Sequence, residues 1–408
     1  MIMEFYREAE KNLEISAKTQ VLVAGGGIAG VAAAIAAARN GSEVLLLERE
    51  YGLGGLATLG LIAIYLPLDD GLGEQVIYGI GEELLKLSIL HGCEGASPDA
   101  WLKKSSLEER KKSRYVAQFN PVMFALEMES MLCRLGVKIL YGSVVTAVVK
   151  ENDRIKGVII ENKSGRSVIS CDVCIDCTGD ADIAHLAGAD TALHGRGNGL
   201  ADWYYYRDGS NVKLKMFGLA DLPNIDEKPE EGASDPYGNV TVTSLANMRF
   251  SGVDGPELSD AVQQAHRKMY EDILAGKEKN KDYAPVAMSS IPLVRMSRRI
   301  VGEYTMDDSE NRIPFEDSIG LTGDWRKPGP CYEIPFRTLY SKKVPNLICA
   351  GRTISVTDPM WEITRVIPPC AVTGQAAGTA AALTNDFSRL DVTALQSRLE
   401  KQKVRLHI

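Results

Sequence analysis

This 408-residue chain is short of positive charge: 46 Lys and Arg stand against 54 Asp and Glu, for a net charge of −8. A broad nucleic-acid or anionic-membrane surface needs the opposite balance, so neither partner is expected; a local basic pocket for an anionic ligand stays open. The N-terminal stretch MIMEFYREAEKNLEISAK lacks the basic segment and apolar run of a secretory signal. One uncharged run, residues 21–38, reaches the length of a membrane span. Glycines break its first half, and its composition changes midway from strand-like to helix-like, which argues against a span. A cytoplasmic protein with its eight cysteines as free thiols is expected. Histidine is scarce, five in all, the first at His91.

The same run holds the strongest motif. In TQVLVAGGGIAGVAAAIAAARNGSEVLLLERE, a short apolar strand meets Gly25, Gly27 and Gly30 in G-x-G-x-x-G spacing, with Ile28 and Ala29 between the last two glycines. The first glycine permits the turn, the second lets backbone approach a pyrophosphate, and the third allows close helix–strand contact. The helix that follows points free N–H groups at the phosphates and stops at Asn40-Gly41. A second strand, residues 44–47, ends at Glu48, an acid placed for a ribose 2′-OH. Glu48 disfavours a 2′-phosphate, so NADP is not expected and FAD and NAD remain. No second fingerprint follows: GRGNG at 195–199 has the wrong spacing, which weakens the case for a separate nicotinamide domain. No C-x-x-C pair stands soon after Glu48, so disulfide reduction is not the expected activity.

Downstream, residues 71–90 read as helical, and FNPVMFALEMESMLCRLG as a helix with Asn120 as N-cap, Pro121 in the first turn and Gly136 as stop. Three β-runs follow, VKILYGSVVTAVVK, RIKGVIIEN and RSVISCDVCIDC, separated by polar turns. The last contains Cys171, Cys174 and Cys177, whose three-residue spacing resembles an iron–sulfur ligand string. In a strand Cys174 would oppose its two neighbours, and Cys171 and Cys177 would lie about 20 Å apart. A cluster loop also needs a fourth cysteine, and position 181 is Ala. Buried thiols in a strand are the expectation.

At EREYGLGGLATLG the chain resembles the FAD-dependent oxidoreductases of the glutathione-reductase-like superfamily, in particular a broad bacterial group marked by GGLAT, CTGDAD and RVIPPCAVTGQAAG. More distantly it resembles fumarate reductase and aspartate oxidase flavoproteins. The resemblance covers about residues 19–60, 120–190 and 290–385. It implies an α/β fold: a Rossmann-like FAD-binding domain, parallel sheet plus β-meander, with an inserted α+β substrate or cap domain. The expected division is 1–193, 194–335 and 336–408. Carried over residue by residue, the resemblance implies FAD contacts from Glu48, Arg49, Gly54, Gly55, Leu56, Ala57 and Val145. It adds Thr178, Gly179 and Asp180 where a strand ends against the dinucleotide, with Thr178 offering a hydroxyl. From the C-terminal part it adds Gly351, Arg352, Gln375 and Ala376, with a helix starting after Pro368-Pro369 to face the flavin pyrimidine edge. Some relatives hold FAD through an N-terminal histidine; with none before His91, FAD is expected to be non-covalent.

The activity this implies is hydride exchange between FAD and a small polar organic substrate, an unsaturated acid or a sugar or hydroxy compound, with an unidentified electron donor or acceptor. Arg298, Arg365 and Asp358 are the candidate catalytic groups. Arg298 lies in RMSRRIVGEYTM beside Arg295 and Arg299, an Arg group suited to a carboxylate. Asp358 and Arg365 lie within TDPMWEITRV, just before the last flavin-facing helix, where a structural ion pair is an equal alternative. The helix of SDAVQQAHRKMYEDILAGK is expected to start at Ser259 and stop at Gly276. A homo-oligomer is compatible with everything above, and no metal is expected. The competing function is a dinucleotide-binding synthase or scaffold of the thiazole-forming type, without net redox turnover.

Overall fold

A computed structural model describes residues 6–195, 197–217 and 249–408. The run at 21–38 splits as its composition requires: strand β1 (Ile15–Ala24), a glycine turn, and helix α1 (Ile28–Arg39), followed by β2 (Val44–Leu47). β1 begins earlier than its apolar part, because residues from Ile15 onward pair with a long downstream strand. Residues 71–79 are not helical. Gly71, Gly73 and Gly79 all take positive φ, and only α2 (Ile80–Ser88) follows. Helix α3 (Pro121–Arg134) starts as expected, with Asn120 Oδ1 accepting from the N–H groups of Val122 and Met123.

The run after α3 breaks in two at Gly142, which has φ 59°. Its first part, β3 (Lys138–Leu140), pairs parallel with β2; its second, β4 (Val144–Glu151), opens an antiparallel meander with β5 (Arg154–Asn162) and β6 (Gly165–Asp176). The central sheet runs β3-β2-β1-β6-β5-β4, and β12 (Leu347–Cys349) joins it beside the C-terminal half of β6. β6 therefore pairs with β5 up to Ser170 and with β12 from Cys174, while holding β1 parallel on its other edge. The result is a mixed α/β fold with a mainly parallel central sheet.

Between β6 and β12 the chain builds a small sheet of β7 (Asp202–Asp208), β8 (Asn211–Phe217) and β9 (Ala284–Met288), with β7 in the middle. Helix α4 (Gly255–Lys279) covers it, burying Ala261, Ala265 and Met269 in a cluster with Tyr204 and Phe250. α4 starts at Gly255 rather than Ser259 because Asp254 caps the Glu257 N–H at 2.9 Å and Pro256 occupies the first turn. Gly276 does not stop it: a Cβ there would lie 2.7 Å from the Tyr283 ring, so this glycine makes room for packing. The segment expected over 194–335 lies partly outside the described residues. Its last strands, β10 (Ser318–Gly323) and β11 (Cys331–Pro335), form a buried hairpin packed on the main core.

After β12 come α5 (Asp358–Thr364) and α6 (Ile367–Ala381). α6 starts at Ile367, with both prolines inside its first turn, where missing N–H groups cost nothing. It is buried from Pro368 to Ala381 and crosses α1, which is buried from Ile28 to Ala37. The two helices meet backbone to backbone: a Cβ on Gly374 would stand 2.2 Å from the Ala29 carbonyl oxygen, and one on Gly378 2.1 Å from that of Ala33. No helix among the described residues is long and apolar enough to cross a membrane. Because backbone cannot move aside as a side chain can, Gly378→Ala is expected to destabilise the fold by roughly 1–3 kcal/mol. Gly255→Ala, whose Cβ would meet nothing within 4 Å, should stay within about 0.5 kcal/mol of wild type. Parallel denaturant titrations check this; equal effects would show that the helix contact is not tight.

Candidate FAD-binding site

The turn between β1 and α1 is built from carbonyls. Gly25 has φ 101°, and a Cβ there would stand 2.3 Å from the Cys177 carbonyl oxygen; Gly30 would collide with the Gly25 oxygen at 1.8 Å. Gly27 is different. Its backbone is extended at φ −66° and ψ 179°, and a Cβ would meet no protein atom within 4 Å. It faces an open cavity of about 440 Å³, and α1 opens there with no capping side chain and no acid in its first turn. A helix N-terminus left bare beside a glycine that needs no room for protein leaves space for an anionic group.

Glu48 braces this turn. Its Oε2 accepts from the Gly26 N–H at 2.7 Å and its Oε1 from Glu50 N–H at 2.8 Å, while burial pushes its carboxyl up. The Gly54-Gly55 turn docks beside it: the Gly54 N–H donates to the Gly26 oxygen at 2.8 Å, and Gly54 takes φ 102°. Leu56 and Ala57 follow in a short 3-10 turn that also lines the cavity, as do Arg49 and, from β4, Val145.

The end of β6 supplies the next wall. Asp176 is fully buried and accepts from the Thr178 N–H at 3.1 Å, the Thr178 hydroxyl at 2.7 Å and the Ala184 N–H at 2.9 Å. The Thr178 hydroxyl is thus spent on Asp176, and it also accepts from the Asp182 N–H at 3.1 Å, rather than being offered outward as expected. Gly179 has φ 86°, and a Cβ there would press on the Arg352 guanidinium at 2.3 Å. Asp180 accepts from the Ser297 hydroxyl at 2.5 Å and lies 3.6 Å from Arg352.

The third segment arrives with β12. Gly351 has φ 79° and sits over Ala29, its N–H donating to the Thr373 hydroxyl on α6 at 3.0 Å. Arg352 also donates to the Val294 carbonyl, and the Trp361 indole donates to the Arg352 carbonyl at 2.7 Å. Three segments far apart in sequence therefore line one cavity: Gly25, Gly27, Ile28, Ala29, Glu48, Arg49, Gly54 to Ala57 and Val145; Thr178 to Asp180; and Gly351 with Arg352. Gly30 lies behind the turn, in contact with Gly25.

Two further expected cofactor residues do not reach the cavity. The Gln375 carbonyl oxygen accepts from the Ile80 N–H at 2.8 Å and its amide donates to Gln402 at 2.9 Å, so it ties α6 to α2 and the C-terminus. Ala376 is fully buried in the helix core. Of the candidate catalytic groups, Arg365 lines the cavity, paired with Glu362 at 2.5 Å. Arg298 does not: it donates to the Asp180 carbonyl at 2.9 Å and to Asp182 at 2.7 Å, which makes it a tether behind the wall. Asp358 lies 3.1 Å from His194 Nδ1 and is also off the lining. The cavity has further walls beyond the expected contacts: Asp182 and Cys370, which lie within CTGDAD and RVIPPCAVTGQAAG, and Ser143 and the stretch Ile291, Pro292, Val294, which carry no motif. Burial pushes the Cys370 thiol up to about 12, and it donates to the Arg365 carbonyl at 3.3 Å.

The three strand cysteines do not converge. Cys171 and Cys174 share the core cluster on one side of the sheet and Cys177 lies in the other, so Cys174 sits with Cys171 rather than opposite it. The change of side falls between Cys171 and Val173, in the stretch where β6 has left β5 at Ser170 and has not yet met β12 at Cys174. A hydrogen bond with Cys171 and burial push the Cys174 thiol up, which suits an inert core group. Among the described residues no group of three His, Cys, Asp or Glu side chains is placed to hold a metal.

The sequence model of the FAD dependent oxidoreductase family matches residues 20–399, nearly the whole chain. The chain belongs to this family: it is an FAD-dependent oxidoreductase, and its cofactor is FAD. Among curated proteins none matches it in sequence. Solved structures similar to it include a geranylgeranyl bacteriochlorophyll reductase-like protein from Thermoplasma acidophilum, 14% identical, with 95% of this chain and 84% of that one covered and a TM-score of 0.44. The flavin-dependent brominase Bmp2 is 13% identical over 94% of this chain and 83% of its own, with a TM-score of 0.45. THI4 of Thermovibrio ammonificans is 17% identical over 62% of this chain and 90% of its own, with a TM-score of 0.32. The assignment rests on the family match, not on these likenesses.

The residues fit the cofactor. Gly27→Leu should fold, since its side chain meets no protein, yet lower bound FAD by roughly tenfold or more. Gly25→Leu should fail to fold. Circular dichroism and the ratio of visible flavin to protein absorbance read the two outcomes; a Gly27→Leu protein with full FAD would refute the placement. Asp176 gives a second test. Burial pushes its carboxyl up to about 6, so between about 4 and 6 the folded chain keeps a proton that the unfolded chain has released. Its contribution to stability is fully present below that window and falls as pH rises through it, by at most about 3 kcal/mol. The stability difference between wild type and Asp176→Asn should fall by that order from pH 4 to pH 7, and a flat difference would refute the shift.

Proposed function

We propose that this enzyme exchanges a hydride between non-covalently held FAD and a small organic substrate admitted from the side of the inserted segment. The observation that carries the proposal is the cavity itself, whose lining passes from the glycine turn to Arg365, Ile367 and Cys370 at the start of α6, and to Gly252, Leu258 and Ile291 of the insert. When bound, FAD supplies the two-electron chemistry; the protein supplies everything else. The α1 N-terminus, with Gly27, would hold the diphosphate, and Glu48 and Arg49 the end of the cavity beside the Gly54-Gly55 turn. Arg352, clamped between Gly179 and Val294, and Arg365 would offset negative charge.

Non-covalent attachment is supported by the chemistry of the lining. None of the five histidines lines the cavity. Cys370, a thiol that does, is kept protonated at neutral pH by burial and engaged with backbone carbonyls. The substrate we favour is neutral or cationic. Arg298, the group best suited to grip a substrate carboxylate, is already committed to Asp180 and Asp182. A separate electron donor or acceptor is part of the proposal, since the chain carries one dinucleotide turn of this type.

Denaturing the purified protein should release all of its yellow colour as intact FAD; colour retained on the chain would contradict non-covalent binding. A colourless protein that releases NAD would favour the synthase reading. Arg365→Leu removes a cation and leaves Glu362 unpaired, so it should lower the FAD midpoint potential by roughly 30 mV or more at unchanged FAD content. An unchanged potential would remove Arg365 from the site chemistry.

A further inference from the structure

A second cavity, of about 380 Å³, lies within the inserted segment, a size that suits a small organic ligand. Its walls are mostly apolar, with Phe250, Ala261, Ala265, Met288 and Leu293 among them. Ile291 and Pro292 line both this cavity and the FAD cavity, so the two share a wall only two residues long. Its polar lining is Asp202, His266, Ser289 and Ser290.

Asp202 is the group that needs explaining. It is buried, in a wall it shares with His266, Ser289 and Ser290. Its Oδ1 accepts from the Trp203 N–H at 2.7 Å and from the Ser289 hydroxyl, while Oδ2 accepts from no donor among the described residues. A carboxylate oxygen without a protein donor that lines a mainly apolar cavity is placed to accept a ligand hydrogen. Burial pushes the Asp202 carboxyl up, opposed in part by the hydrogen bonds from the Ser289 hydroxyl and the Trp203 N–H and, least, by His266.

We propose that this second cavity is the substrate-recognition pocket: it takes a mainly apolar small molecule carrying one hydroxyl or amine, whose hydrogen is donated to Asp202. The inference rests on the function proposed above and narrows its substrate class. The shared Ile291–Pro292 wall sets a ligand there directly beside the cofactor cavity. The same carboxylate rejects an acid of similar shape, since like charges in a buried site repel.

The test titrates the FAD-loaded enzyme by calorimetry with four probes of one shape: cyclohexylmethanol, cyclohexylmethylamine, cyclohexanecarboxylate and methylcyclohexane. The alcohol and the amine should bind roughly tenfold or more tightly than the carboxylate and the hydrocarbon. A preference between the first two identifies the natural donor. Asp202→Asn, which keeps the shape, should erase the preference of amine over carboxylate, and Ala265→Phe should abolish binding of all four. The inference is overturned if no probe binds, if the carboxylate binds as well as the alcohol, or if Asp202→Asn leaves the ranking unchanged. FAD content measured in the same samples separates the two claims. Protein without FAD refutes the proposed function, whereas FAD-loaded protein with the wrong ranking refutes this inference alone.

Discussion

Everything in the cofactor cavity depends on how closely α6 crosses α1. Gly374 and Gly378 lie over the carbonyls of Ala29 and Ala33, an approach that a side chain at either glycine would not permit. That contact brings the last quarter of the chain against the first. It sets Gly351 over Ala29 and places Thr373 to receive the Gly351 N–H, so the turn after β12 closes on the glycine turn after β1. Helix–helix packing, more than any polar contact, determines that a cavity exists there at all. Small residues are the means, because dispersion contact grows steeply as backbones approach.

Around that contact, polar groups hold the walls in place. Glu48 and Asp176, at the ends of the two parallel strands that flank β1, each fix a turn by accepting backbone N–H groups. Both carboxyls are pushed up by burial. Their cost is one that a preorganised site bears: turns held by the protein itself need not be ordered when a ligand arrives. Arg298 belongs to the same framework. It joins the insert to the turn after β6, which explains why a residue chosen for carboxylate chemistry has no free face.

The cofactor end of the site was legible in the sequence because its constraints are local. Gly25, Gly27 and Gly30 are separated by a few residues, and strand, turn, helix and acid follow in order. Arg352 and Gly351 were legible through resemblance, not spacing. The misplacements are all matters of direction or distance. Gln375 sits on the right helix, but which face of α6 meets the cavity is decided by Gly374 and Gly378 turning toward α1. Cys174 changes side because β6 exchanges one neighbour for another partway along, an event that strand alternation cannot register. Helix α4 starts early because Asp254 and Pro256 form a better start than Ser259. The pocket at Asp202 is assembled from two loops, a helix and three strands with no motif in any of them.

The central claim is that one FAD is held jointly by the segments around Gly27, Gly179 and Gly351. Hydrogen exchange of backbone amides, compared between FAD-loaded and FAD-stripped protein, tests it most directly. The account predicts slowed exchange in all three segments, rising together as FAD is added back. Slowing confined to the glycine turn after β1, with residues 177–180 and 350–352 unchanged, would contradict it.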